Sequence, residues 1–153
     1  MKSFKLVLII LILQSSLSFS SNIENSTNHI KTIVFGAGCF WSVEKKFQDT
    51  YGVINVESGY ADGKKIKPVY KEIIKRENRF NPDNYAEVVK VTYNSNKTNL
   101  ENLLKTFFEM HDPTQENRQG NDIGIQYRSL ILTSSEEETL SLIHISEPTR
   151  PPE

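Results

Sequence analysis

The chain carries a single cysteine, and its neighbours give it a chemical context: Gly36-Ala37-Gly38-Cys39-Phe40-Trp41. A lone thiol is either a small buried hydrophobe, the common case, or a nucleophile. Here the β-branched run Thr32-Ile33-Val34-Phe35 leads into the glycines, and a helical pattern with Val43 and Phe47 four residues apart leads out. That order predicts a strand, a tight turn and a helix, with Cys39 at or near the helix N-terminus. Free N–H groups and the positive end of the helix dipole stabilise a thiolate there. The glycines permit the sharp turn. Phe40 and Trp41 offer an apolar surface to a small hydrophobic group. The local sequence describes a reactive thiol beside a greasy pocket, with a structural cysteine as the competing reading.

A second chemical group sits in the stretch Ala86 to Tyr93. Val89, Val91 and Tyr93 alternate on one face of a strand, and Glu87 is in phase with them. A carboxylate on a buried face either pairs or has its pKa raised and stays protonated. His111-Asp112 invites a Cys–His–Asp hydrolase reading. Both residues fall at the end of a core helix, however, where a helix-stop role suffices. Cys39, His29, His111 and His144 lack metal-ligand spacing, so a structural zinc site is not expected.

The elements that must position these groups follow from periodicity. Val53 to Tyr60 reads as a strand and Ala61-Asp62-Gly63-Lys64 as a turn. Val69 to Glu77 is a short helix with Ile73 and Ile74 facing inward and Tyr70 one turn earlier. Thr98-Asn99-Leu100-Glu101 is a capping box, and Leu100, Leu103, Leu104, Phe107 and Phe108 form the stripe of a core-facing helix. Thr114 to Gln126 is polar and without period, as functional loops often are. Arg128 to Thr133 is a last strand, and Ser134 to Glu137 opens another helix. The order predicts an α+β fold with helices on one side of a sheet, a split βαβ, ferredoxin-like two-layer roll.

The 153 residues suit one domain, and a net charge of −1 gives no electrostatic basis for nucleic-acid binding. Residues 1–20 combine two lysines, the apolar run Leu6 to Leu13 and a small-residue exit around Ser18 and Ser20. That is the pattern of a signal peptide, and it predicts a secreted or periplasmic protein with no stable membrane association after cleavage. An uncleaved N-terminal anchor is the competing reading. Residues 21–30 read as a polar linker. The segment 140–153, with Leu140 to Arg150 at its core, resembles the translation of a sequencing adapter, so the native frame is expected to end near Thr139.

Several motifs in order resemble one family. They are Gly36 to Glu44, Ser58-Gly59-Tyr60-Ala61-Asp62-Gly63, Ala86-Glu87-Val88-Val89, His111-Asp112-Pro113-Thr114-Gln115, and Asn117 to Gly124 followed by Gln126-Tyr127-Arg128-Ser129. From about Lys31 to Thr133 the chain resembles peptide methionine sulfoxide reductases of the A type. The resemblance implies an α+β roll and reduction of the S epimer of methionine sulfoxide, free or in proteins, with neither metal nor organic cofactor. It implies Cys39 as the nucleophile on sulfur and Glu87 as the acid for the departing oxygen. Tyr70 and Tyr127 would hydrogen-bond that oxygen, Phe40 and Trp41 would hold the substrate methyl group, and Asp122 would order the site. Cys39 would become a sulfenic acid.

Family members often carry resolving cysteines near the C-terminus, which yield a disulfide that thioredoxin reduces. None occurs in this sequence. Either the gene is truncated or an external thiol, thioredoxin or another, reduces Cys39 directly. Tyr85, Asp62 and Ile125 stand where the family usually has histidine, glycine and threonine. Two other readings stay open: a single-cysteine thiol peroxidase, and a binder of oxidised methionine that does not turn over.

Overall fold

In the computed structural model, residues 29–64, 66–136, 139 and 142 are described. The expected signal peptide, the linker up to residue 28 and nearly all of the expected foreign tail lie outside them. So does part of the helix expected to open at Ser134.

β1 (Ile30–Gly36) is followed by α1 (Phe40–Gln48), β2 (Val53–Ala61), a four-residue α2 (Tyr70–Ile73) and a 3-10 turn, Arg76–Asn78. β3 (Ala86–Asn94), α3 (Leu100–Met110), the short strands β4 (Arg118–Gln119) and β5 (Asp122–Ile123), a 3-10 turn at Ile125–Tyr127 and β6 (Leu130–Leu132) complete the order. The four-stranded sheet runs β2-β3-β1-β6 with every neighbouring pair antiparallel. β1 and β2 are therefore parallel to each other with β3 inserted between them, which is the split βαβ arrangement the element order predicts.

The period-2 and period-3.6 patterns explain the packing. Ile33 and Phe35 of β1, and Val89, Val91 and Tyr93 of β3, are buried on one face of the sheet. Val43 and Phe47 of α1, and Leu103, Leu104 and Phe107 of α3, cover that face. Phe35 stacks between Phe47 at 4.9 Å and Phe107 at 5.0 Å, so one strand and two helices meet at three rings. Each such ring contributes roughly 1.5–3 kcal/mol by leaving water.

Three local expectations shift. The helix expected over Val69 to Glu77 stops at Ile73, leaving Ile73 buried and Ile74 43% exposed. The cause is Asn84, fully buried, whose amide donates to the carbonyls of Ile73 (3.0 Å) and Asn78 (2.9 Å). That bond takes the helix's last carbonyl and turns the chain away. The helix cap is Asn99, not Thr98: the Asn99 side chain accepts the Asn102 N–H at 2.9 Å. Thr98 is buried against Gly52, where an added Cβ would sit 2.7 Å from the Thr98 side chain, so tertiary packing removes it from the cap. Phe108 is 45% exposed and meets Phe107 edge-on, at the rim of the stripe.

Asn84 also accepts the Tyr85 N–H at 2.9 Å, two residues before Glu87. Asn84→Ala strands the buried Ile73 carbonyl and the Tyr85 N–H, each at roughly 1–3 kcal/mol, while Asn78 O keeps the Asn81 N–H at 3.2 Å. It is expected to lower the stability by about 3 kcal/mol, read as a lower urea midpoint with an unchanged slope.

Candidate active site

Cys39 is the residue immediately before α1. Its carbonyl accepts the N–H groups of Ser42 (3.1 Å) and Val43 (3.4 Å), which begins the helix, and it is half-buried. Gly38 holds φ +96°, and a Cβ there would come within 2.9 Å of the Gln119 side chain. Glycine is therefore required twice over, by backbone conformation and by the close approach of the β4 segment. The first turn of α1 has no acidic side chain, while Lys45 and Lys46 lie in its last turn. α1 thus brings no acidic group of its own to its positive end.

Glu87 occupies that position. The Phe40 N–H donates to Glu87 Oε2 at 3.1 Å, linking β3 to the residue after the cysteine. Glu87 is 3% exposed. Burial pushes its pKa up; the Phe40 N–H opposes this, and the Asp122 charge adds to the rise. The net shift is upward, so the carboxyl keeps its proton to higher pH than a surface glutamate.

Phenols surround the carboxyl. Tyr60 sits directly opposite Glu87 in the β2–β3 register. Its pKa is pushed up to about 12, first by burial, then by Glu87, Tyr70 and Tyr127. Tyr127 is raised by burial and by the charges of Glu87, Asp122 and Cys39, against a lowering hydrogen bond from Gln126. Tyr60 and Tyr127 are therefore hydrogen-bond donors throughout the physiological range. Tyr70, 55% exposed at the start of α2, forms the outer edge.

The Phe40 ring lies 5.6 Å from Tyr60 and 6.1 Å from Trp41. Trp41 is 72% exposed, so it is a surface ring and not part of the core. Asp122 is exposed at the start of β5 and lines a cleft of about 350 Å³ with Tyr70 and Tyr127. The sequence-predicted residues thus converge: Cys39, Phe40 and Trp41 from one helix start, Glu87 from the central strand, and Tyr70, Asp122 and Tyr127 from the connections above it.

The His111–Asp112 pair is committed elsewhere. The His111 ring nitrogens contact Phe107 O (2.7 Å) and Ser129 Oγ (2.8 Å). The Asp112 carboxylate accepts from Thr114 (Oγ1 2.6 Å, N 3.0 Å) and Gln115 (3.1 Å). Neither is arranged to activate a thiol, which removes the hydrolase reading.

Tyr60 and Gln126 received no role from the sequence, although both stand in quoted motifs. For Tyr60 the signal was available in the pairing of β2 with β3. Arg128 was also missed. Its guanidinium donates to Asp62 O (2.6 Å), Asp62 Oδ2 (2.9 Å), Ile125 O (2.8 Å) and Asn84 O (3.4 Å). Asp62 holds φ +53°, the conformation glycine favours, and this ion pair compensates for the replacement. At Gly63 an added Cβ would overlap the Tyr85 ring, so that tyrosine packs over the turn.

The family model for peptide methionine sulfoxide reductase matches residues 31–148. Peptide methionine sulfoxide reductase MsrA of Trichodesmium erythraeum is 47% identical over 109 residues, covering 71% of this chain and 59% of that protein. The chain thus spans about three fifths of that relative's length. Two structures of Mxr1 from Saccharomyces cerevisiae are similar. The reduced form has 31% identity and a TM-score of 0.68, covering 77% of this chain and 67% of that one. The complex with Trx2 has 25% identity and a TM-score of 0.53, covering 77% and 64%. With the motifs in order on a matching fold, the chain belongs to the peptide methionine sulfoxide reductase family.

Proposed function

We propose that this protein reduces methionine-S-sulfoxide to methionine through a sulfenic acid on Cys39. The observation that carries the reading is the bond from Phe40 N–H to Glu87, which holds a buried carboxyl of raised pKa at the start of the helix that Cys39 caps. The Cys39 thiolate attacks the sulfoxide sulfur. Glu87 protonates the oxygen and becomes a carboxylate; the hydroxyl passes from the substrate sulfur to Cys39 Sγ as the Cys39–substrate S–S bond breaks, which releases the sulfide and leaves Cys39 as a sulfenic acid. Tyr60, Tyr70 and Tyr127 direct O–H dipoles at the oxygen as its charge develops. Phe40 and Trp41 receive the methyl group, and Asp122 orders the substrate from the cleft. The family membership supports the sulfoxide as substrate, and the resemblance supports the S epimer.

A thiol reductant closes the cycle. One thiol displaces water from the sulfenic acid to give a mixed disulfide, and a second releases Cys39. Thioredoxin is the proposed donor, and the Mxr1–Trx2 complex of the yeast relative supports it. Export by residues 1–20 is proposed from the sequence alone.

The test is a single turnover. Protein mixed with excess S-epimer substrate and no reductant is expected to form about one sulfide per chain, with one oxygen added to Cys39 by mass. Faster oxidation of Cys39 by hydrogen peroxide than by the sulfoxide would instead establish the peroxidase reading. Binding without sulfide from a folded chain would establish the binder.

A further inference from the structure

The cleft beside Tyr70 and Tyr127 contains more than the proposed sulfoxide chemistry uses. Arg76 and Arg79, on the 3-10 turn after α2, line it together with Tyr70, Asp122, Gln126 and Tyr127. The two arginines differ in how they are held. Arg79 Nε donates to Ile123 O at 2.7 Å, the Ile125 N–H donates to Arg79 O at 2.8 Å, and the guanidinium lies 5.9 Å from the Phe80 ring. Its fork is fixed, and its terminal nitrogens have no partner among the described residues. The Arg76 guanidinium has neither an ion pair nor a hydrogen bond among them. Asp122 is the acidic residue of the cleft, and it pairs with neither arginine. Two cations against one anion leave the cleft net positive.

Gln126 forms an uncharged wall of the same cleft: it is 5% exposed, and its Oε1, next to Gly124, has no hydrogen-bond partner among the described residues.

We propose that the cleft is a subsite for an acidic residue beside the oxidised methionine in a substrate peptide, with Arg76 and Arg79 taking its carboxylate. The inference rests on the reductase reading for its substrate and narrows it to acidic methionine sulfoxide peptides. Free methionine sulfoxide carries a carboxylate of its own, so the test separates the two sources.

The test uses end-blocked peptides in which methionine sulfoxide is followed by Asp, Asn or Lys, together with free and end-blocked methionine sulfoxide. Rates are measured with the unaltered chain and a small thiol as reductant. Affinities are measured by calorimetry on the Cys39→Ser chain. The Asp peptide is expected to exceed the Asn peptide by about 5-fold in kcat/KM, through KM, with the Lys peptide weakest and the differences shrinking in salt. Arg76→Glu is expected to invert the order in favour of Lys, which mere structural damage would not do. Equal values for the three peptides overturn the subsite. So does an advantage for free over blocked methionine sulfoxide with none for the Asp peptide. An affinity order of Asp over Asn without any sulfide formed retains the subsite and overturns the reductase reading.

Discussion

Cys39→Ser is expected to form no sulfide above the protein-free blank, with or without reductant, while unfolding at the same denaturant midpoint as the parent. The side chain is half-buried, and serine is close in size, so packing changes little. The nucleophile changes entirely, because an un-ionised hydroxyl is a poor attacker without an adjacent base. Both ring nitrogens of His111 are occupied, and the group tied to this helix start is an acid, Glu87. A slow but measurable turnover in the serine variant would place the reaction on another group.

Glu87→Gln is the second large effect. The amide oxygen can still accept the Phe40 N–H, so the geometry is retained while the proton is lost. The single-turnover rate is expected to fall by roughly 10²–10⁴-fold, the usual contribution of a positioned acid. The pH profile provides the sharper readout. In the parent, the rate falls as pH rises through the raised Glu87 pKa, because the proton to be donated is gone. In the variant that alkaline limb is absent.

Stability runs in the opposite direction. A carboxyl whose folded pKa lies above its unfolded value is harmless below the unfolded pKa. It costs stability progressively as pH rises to the folded value. Glu87→Gln removes that cost, so the variant is expected to be at least as stable as the parent at neutral pH and no more stable in acid. A variant that loses both activity and stability at neutral pH would show that Glu87 supports the fold and not the chemistry.

How far the site was legible follows from the kind of pattern each residue obeys. Cys39 and Glu87 were readable because each belongs to a local repeat: the strand–glycine–helix transition for one, the alternation of β3 for the other. Their proximity needs the β1–β3 pairing, which the element order implies. Asn84 and Arg128 were not readable. Each acts by gathering carbonyls from segments distant in sequence, and such bonds leave no periodicity. The helical period points Ile74 and Phe108 inward, but that period holds only while a helix continues or stays covered. Asn84 ends one helix and the edge of the core exposes the other. Thr98 shows the same limit for capping, since contact with Gly52 outweighs a local hydrogen bond.

The tether between Phe40 and Glu87 has a consequence for the electrostatics of the whole cycle. In the proposed step the thiolate becomes a neutral sulfenic acid while the neutral carboxyl becomes a carboxylate. One unit of negative charge crosses from sulfur to oxygen without entering or leaving the mouth of the site. Both the departing and the arriving anion lie at the same end of α1, so a single helix dipole serves reactant and product in turn. Surrounding ions and protein charges at a distance see an unchanged monopole. The chemical step is therefore expected to respond little to ionic strength, while its dependence on pH is kept in the one proton that Glu87 holds.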